Sequence, residues 1–192
     1  MSLDQTLFLW INGFAGRITL LDEFLKGMAN DYFFIVGSCL ILVALWFGTR
    51  DVYLRRRNQR GIISALLSLG IAQGIVCIIN LFYFRPRPFT ELPAYLLFYL
   101  PTDSSFPSNS TSVIFALATA ILLVDKKTGS LLLTLALVHG FSRIYVGIHY
   151  PLDILGGIII GVLVALVVSR LLNRFDFWPN YLLKFIRKFY LA

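Results

Sequence analysis

Charge is scarce in this chain. Only 14% of its 192 residues are Asp, Glu, Lys or Arg, whereas 58% are hydrophobic and 15% aromatic, and the mean hydropathy is +0.78. Such a balance excludes an ordinary soluble domain. Cysteine is scarce as well. Cys39 and Cys77 lie inside apolar runs and read as small packing residues, which excludes a disulfide framework and a thiolate metal site. Carboxylates do not cluster, so neither a metal nor any other cofactor is expected. Repeats and low-complexity tracts are absent, which excludes solenoids and divided architectures. The first stretch carries Asp4 where a signal peptide has a basic start, so no cleavable leader is expected. Acidic residues number 10 against 17 basic ones, giving a formal charge of +7. The basic residues flank apolar runs, a pattern that fits membrane orientation and excludes nucleic acid as the natural partner.

What is present is hydrophobic length. Runs at Tyr32–Phe47, Ile62–Phe82, Ser112–Val124, Ser130–Val146 and Leu152–Leu172 approach the ~20 residues a helix needs to cross a bilayer. The expected fold is all-α, a multispanning transmembrane helix bundle of five or six membrane helices with interfacial helices at the termini. One domain covers 1–192. Residues 1–29 read as two short interfacial helices, with a sixth, imperfect span as the alternative; 30–172 form the bundle; 173–192 form a basic-aromatic interfacial tail. Arg50, Arg55, Arg56, Arg57, Arg60, Lys126, Lys127 and Arg174 fall on one side if each span crosses once. The positive-inside rule makes that side cytoplasmic. The plasma (inner) membrane is therefore expected, with the opposite face outside.

That outer side concentrates the chemistry. Ser142-Arg143-Ile144-Tyr145-Val146-Gly147-Ile148-His149-Tyr150-Pro151-Leu152-Asp153 places an arginine, a histidine and an aspartate at the mouth of apolar helices. Ionisable groups at membrane depth are functional candidates because hydrocarbon penalises an unpaired charge. Arg143 can grip an anionic oxygen through its planar fork. His149 can serve as nucleophile or base, and Asp153 can fix its tautomer. The bland alternative is an interfacial Arg and His snorkelling to water with Asp as a cap. Phe84-Arg85-Pro86-Arg87-Pro88-Phe89 ends one span because proline breaks helices. Pro107-Ser108-Asn109-Ser110 opens the next, with Ser108 or Asn109 as N-cap and free N–H groups suited to phosphate. Taken alone, each of these two is only a helix terminator or a cap. Together with the third they form a phosphate-handling set.

The order Arg-Pro, Pro-Ser-x-x, then Ser-Arg-x5-His-x3-Asp resembles the type 2 phosphatidic acid phosphatase superfamily over roughly residues 30–172. Within it, Tyr83-Phe84-Arg85-Pro86-Arg87-Pro88-Phe89 is most similar to bacterial undecaprenyl-diphosphate phosphatases of the bacitracin-resistance type. The resemblance implies that His149 attacks phosphorus and forms a phosphohistidine, that Asp153 orients and stabilises the imidazole, and that Arg143 and Arg87 hold the phosphoryl oxygens. Ser108, Asn109, Ser110, Ser142 and Asn80 complete the implied phosphate-binding set. The substrate would be a polyprenyl or phospholipid phosphate in the bilayer.

Two positions depart from the family pattern. Asn80 stands where its first motif has lysine, and Ser110 where its second has the histidine that protonates the leaving group. A positioned acid contributes about 10²–10⁴-fold. An alkoxide needs that proton, whereas a departing phosphate monoester has a pKa of only about 6. The substitution therefore favours a lipid diphosphate over phosphatidic acid or phosphatidylglycerophosphate. A phospholipid monophosphate phosphatase and a catalytically impaired lipid-phosphate binder remain the alternatives. His139 shares a helix face with Arg143 but about one turn deeper. It reads as a polar residue hydrogen-bonded within the bundle, with substitute acid as the alternative.

Overall fold

Apolar helices joined by short polar breaks build the structure, a computed structural model that describes residues 1–175 and Leu183. Ser2 and Gln5 form a reciprocal capping box that starts α1 (Leu3–Asn12). α2 (Thr19–Ala29) and α3 (Asp31–Phe47) meet at Asn30, whose side chain caps Tyr32 N–H at 2.9 Å. α4 (Val52–Phe82) begins at the cap Asp51 and stops just short of the Arg-Pro-Arg-Pro run. A single turn, α5 (Pro88–Glu91), leads into the loop that reaches α6 (Asn109–Leu122). Asp125 caps α7 (Lys126–Tyr145), and Pro151 takes the first position of α8 (Pro151–Arg174), where its missing N–H costs nothing.

α6 is the central helix, packed against α8, α4 and α7. Two glycines let α8 come close. A Cβ at Gly157 would lie 2.8 Å from Ser108 O, and one at Gly161 2.4 Å from Ser112 O, so the start of α6 lies backbone to backbone with the second and third turns of α8. Leu117, Ile121, Ile62, Leu132 and Ala165 fill the layer below. On α8, Leu155, Ile159, Leu163, Val167 and Leu171 recur at every fourth residue and are about half exposed. That outward apolar stripe is what hydrocarbon, not water, accommodates.

All described regular structure is helical. α4 and α8 are each long and apolar enough to span a membrane, and α2 with α3, bent by 59°, make a third candidate. The helices expected around Tyr32–Phe47, Ser112–Val124 and Ser130–Val146 are present as α3, α6 and α7, but by length and hydropathy α3 passes only jointly with α2, and α6 and α7 do not pass. His139 and Arg143 lower the hydropathy of α7, and α6 has only 14 residues. The cysteines expected to pack inside instead point outward, both exposed. Apart from Leu183, the tail beyond Phe175 lies outside the described residues.

Candidate active site

The α7–α8 turn carries His149. Gly147 takes φ +92° there, open to glycine and strained for other residues. A Cβ on it would also meet Tyr95 O at 2.6 Å. The turn folds His149 inward until it is 2% exposed. Its Nδ1 lies 2.9 Å from Ser105 O, and only a donated N–H makes that contact, so the lone pair resides on Nε2. Nε2 faces two guanidinium groups, Arg143 Nη2 at 3.3 Å and Arg87 Nη1 at 3.4 Å. Burial, and then the charges of Arg143 and Arg87, push the His149 pKa down to about 4 against the pull of Asp153. A neutral nitrogen with a free lone pair thus points at a pair of cations.

Each arginine is held by a carboxylate. Arg143 donates to Asp31 Oδ1 at 2.7 Å and to Ala29 O at 3.3 Å. Arg87 donates to Asp103 Oδ1 at 2.8 Å, Asp103 O at 3.1 Å and Ile148 O at 2.9 Å. Arg143 Nε is buried without a partner. Such anchoring fixes the forks before a ligand arrives, which is the condition for electrostatic preorganisation.

Asp153 differs from the expectation that it contacts the imidazole directly. Its Oδ2 stands 3.7 Å from His149 Nδ1, beyond hydrogen-bond range. It reaches the ring through Ser105, whose hydroxyl donates to Asp153 Oδ2 and whose carbonyl takes the imidazole proton. Asp153 also accepts from Tyr150 N–H at 2.8 Å and from Arg85 at 2.6 Å. Arg85 spans to Asp4 Oδ2, also 2.6 Å, and stacks over the Tyr150 ring at 4.2 Å. Asp4 in turn receives Leu152 N–H at the start of α8. In this way α1 is tied to the base of the site.

The second segment forms the wall. Ser108 is the N-cap of α6; its N–H donates to Asp153 O at 3.0 Å, and its hydroxyl meets Thr111 Oγ1 at 2.9 Å. Asn109 and Ser110 occupy the first turn, where backbone N–H groups have no helical partner. Asn109 Oδ1 is buried and unpartnered. Ser110 Oγ lies 3.4 Å from His139 Nε2. One expected phosphate ligand has its hydroxyl engaged elsewhere. The Ser142 hydroxyl donates to His139 O, 2.7 Å away on its own helix, because a serine within a helix reaches back to the preceding turn. Asn80 sits near the end of α4 with Oδ1 buried and no partner. Among the described residues, no group of three metal-ligating side chains assembles.

Sequence reasoning missed Asp31, Asp4 and Ser105 as members of this end. Asp31 opens α3, and only the fold brings it to Arg143, 112 residues away. The adjacent serines before Phe106-Pro107 were the available signal for Ser105.

Two anchored arginines, a neutral histidine and a helix N-terminus, gathered between membrane-type helices, make a set with the chemistry to take a phosphate. The chain belongs to the PAP2 superfamily, whose model matches residues 61–177. It is 33% identical over 171 residues to undecaprenyl-diphosphatase BcrC of Bacillus subtilis, covering 88% of this chain and 83% of that protein. It is 34% identical over 189 residues to the bacitracin transport permease protein BcrC of Bacillus licheniformis, covering 97% and 85%. Among solved structures it is similar to LpxE of Aquifex aeolicus, with a TM-score of 0.72, 28% identity, and coverage of 88% of this chain and 96% of that one. A phosphatidylglycerolphosphate phosphatase from Bacillus subtilis shares the fold at a TM-score of 0.66 and 19% identity, covering 89% and 85%.

Proposed function

We propose that this protein hydrolyses undecaprenyl diphosphate, or a similar polyprenyl diphosphate, to the monophosphate and inorganic phosphate at the outer face of the plasma membrane. The observation that carries the reading is His149 Nε2, unprotonated and aimed between Arg87 and Arg143. In this route the terminal phosphoryl group enters the recess with its oxygens on the two guanidinium groups and the α6 N–H groups. Nε2 attacks phosphorus in line, an N–P bond forms, and the bond to the bridging oxygen breaks. The imidazolium that develops keeps its Nδ1 proton on Ser105 O, with the Asp153 charge close by. Water then cleaves the phosphohistidine. The names of the BcrC relatives support the diphosphate, as does Ser110, which offers no imidazole to protonate an alkoxide. Basic residues at the opposite helix ends support the outward orientation, with five spans if α3, α4, α6, α7 and α8 each cross.

Detergent-purified protein given undecaprenyl diphosphate is expected to release phosphate, and His149→Ala to release none. Turnover of phosphatidic acid at the same rate would overturn the diphosphate preference. No release from any lipid phosphate would favour a binder.

A further inference from the structure

The histidine absent from position 110 has a counterpart across the recess. His139 is fully buried on α7, one turn before Arg143. Its Nδ1 lies 2.8 Å from Met28 O on α2, a contact that requires Nδ1 to be the donor, so the neutral ring presents its Nε2 lone pair. That lone pair faces the Ser110 hydroxyl at 3.4 Å and Asp31 Oδ1 at 3.7 Å. The Phe34 ring from α3 packs beside it, centroid to centroid 5.4 Å. Asp31 is also the carboxylate that anchors Arg143, which in turn reaches His149. Ser110 is in the first turn of α6, the helix end proposed to hold the phosphate.

We infer that Ser110 and His139 together form the base that activates water in the second half of the reaction. This rests on the phosphohistidine reading above. Water oxygen bonds to phosphorus as the N–P bond breaks and its electron pair returns to His149 Nε2. The water proton passes to Ser110 Oγ while the Ser110 proton passes to His139 Nε2. His139 is then an imidazolium between Met28 O and Asp31. The Asp31 side chain is one-third exposed and delivers the proton to bulk water, restoring the neutral ring. Ser110 touches the water; His139 acts through it as a positioning residue for the proton. The charged groups around His139 are Asp31 from α3 and Arg143 on its own helix. Because the resting ring is a base and not an acid, the arrangement assists dephosphorylation without assisting departure of an alkoxide. It therefore preserves the preference for diphosphate.

The test is rapid-quench kinetics on undecaprenyl diphosphate with His139→Ala and Ser110→Ala. Each is expected to keep a burst of about one undecaprenyl monophosphate per enzyme, accumulate acid-labile phosphohistidine, and lose about 10²-fold in steady turnover. Adding Ser110→His to His139→Ala is expected to recover most of that loss. His139→Gln, which retains an N–H for Met28 O, is expected to behave like His139→Ala and guards against misfolding of the smaller side chain. Unchanged turnover in both His139 variants, or loss of burst and turnover in parallel, would overturn the relay and leave the phosphatase reading standing. A wild-type protein that turns over without forming phosphohistidine would sink the covalent route and the relay with it, and one that releases no phosphate would sink the phosphatase reading itself.

Discussion

The two ends of the helix bundle treat arginine in opposite ways. At the His149 end, Arg85, Arg87 and Arg143 each meet a carboxylate within 2.6–2.8 Å. At the other end Arg56, Arg57, Arg60 and Arg170 line a cavity of about 650 Å³ together with Ser64 and Ser169. Among the described residues, no carboxylate pairs with Arg56, Arg57 or Arg170. The difference follows from burial. A guanidinium taken out of water must be matched, and losing its partner strands the remaining charge, whereas one facing water or lipid headgroups needs no fixed partner. Matching also fixes direction, and direction is what the proposed binding of a phosphoryl group requires.

The largest break in this asymmetry comes from His149, the proposed nucleophile. His149→Ala is expected to remove turnover by about a millionfold, the scale seen when a catalytic nucleophile is deleted, as measured by phosphate release. Arg85→Met should come next. It leaves buried Asp4 and Asp153 facing each other without their shared cation, with an expected loss of about 3–5 kcal/mol in stability, read from unfolding in detergent. Asp31→Asn is smaller and of opposite sign for binding. Removing a negative charge from the Arg143 fork should lower the inhibition constant for inorganic phosphate about fivefold, as expected for roughly 1 kcal/mol of screened interaction. The buried imidazole gives a pH signature. The chain has 2 histidines, so ring resonances are readily assigned by comparison with His139→Gln. Burial and two neighbouring cations disfavour the protonated form, so His149 should stay neutral as pH falls past 6.5 and titrate near 4. At the opposite end, Arg56→Ala with Arg57→Ala should change stability by no more than about 0.5 kcal/mol and leave turnover unaltered. A marked loss there would mean that the basic cavity is coupled to the recess.

Helix positions were largely legible from hydropathy and punctuation. Pro88 and Pro151 open α5 and α8, Asp51 and Asp125 cap α4 and α7, and the glycines of α8 lie against α6 as close packing requires. Crossing number was not legible in the same way, because α6 has only 14 residues and α7 trades apolar residues for polar groups that face inward. Of the site, Arg87, Arg143 and His149 are brought together, while the Ser142 hydroxyl is engaged with its own helix. A serine in a motif reads the same whether its hydroxyl faces a ligand or the preceding helical turn. Only the rotamer distinguishes the two.

What the sequence by itself determined is a set of local properties: apolar runs of membrane length, the breaks between them, the sidedness of charge, and a motif dense enough to place Arg143, His149 and Asp153 in one turn. Those depend on neighbours within a few residues. Tertiary structure alone decided that Asp31 anchors Arg143, that Arg85 joins Asp4 to Asp153, that Ser105 mediates between Asp153 and His149, and that His139 faces Ser110. These partners lie 29 to 112 residues apart in the chain, and nothing in local propensity selects them. They are chosen when helices pack and every buried charge must find its counterpart.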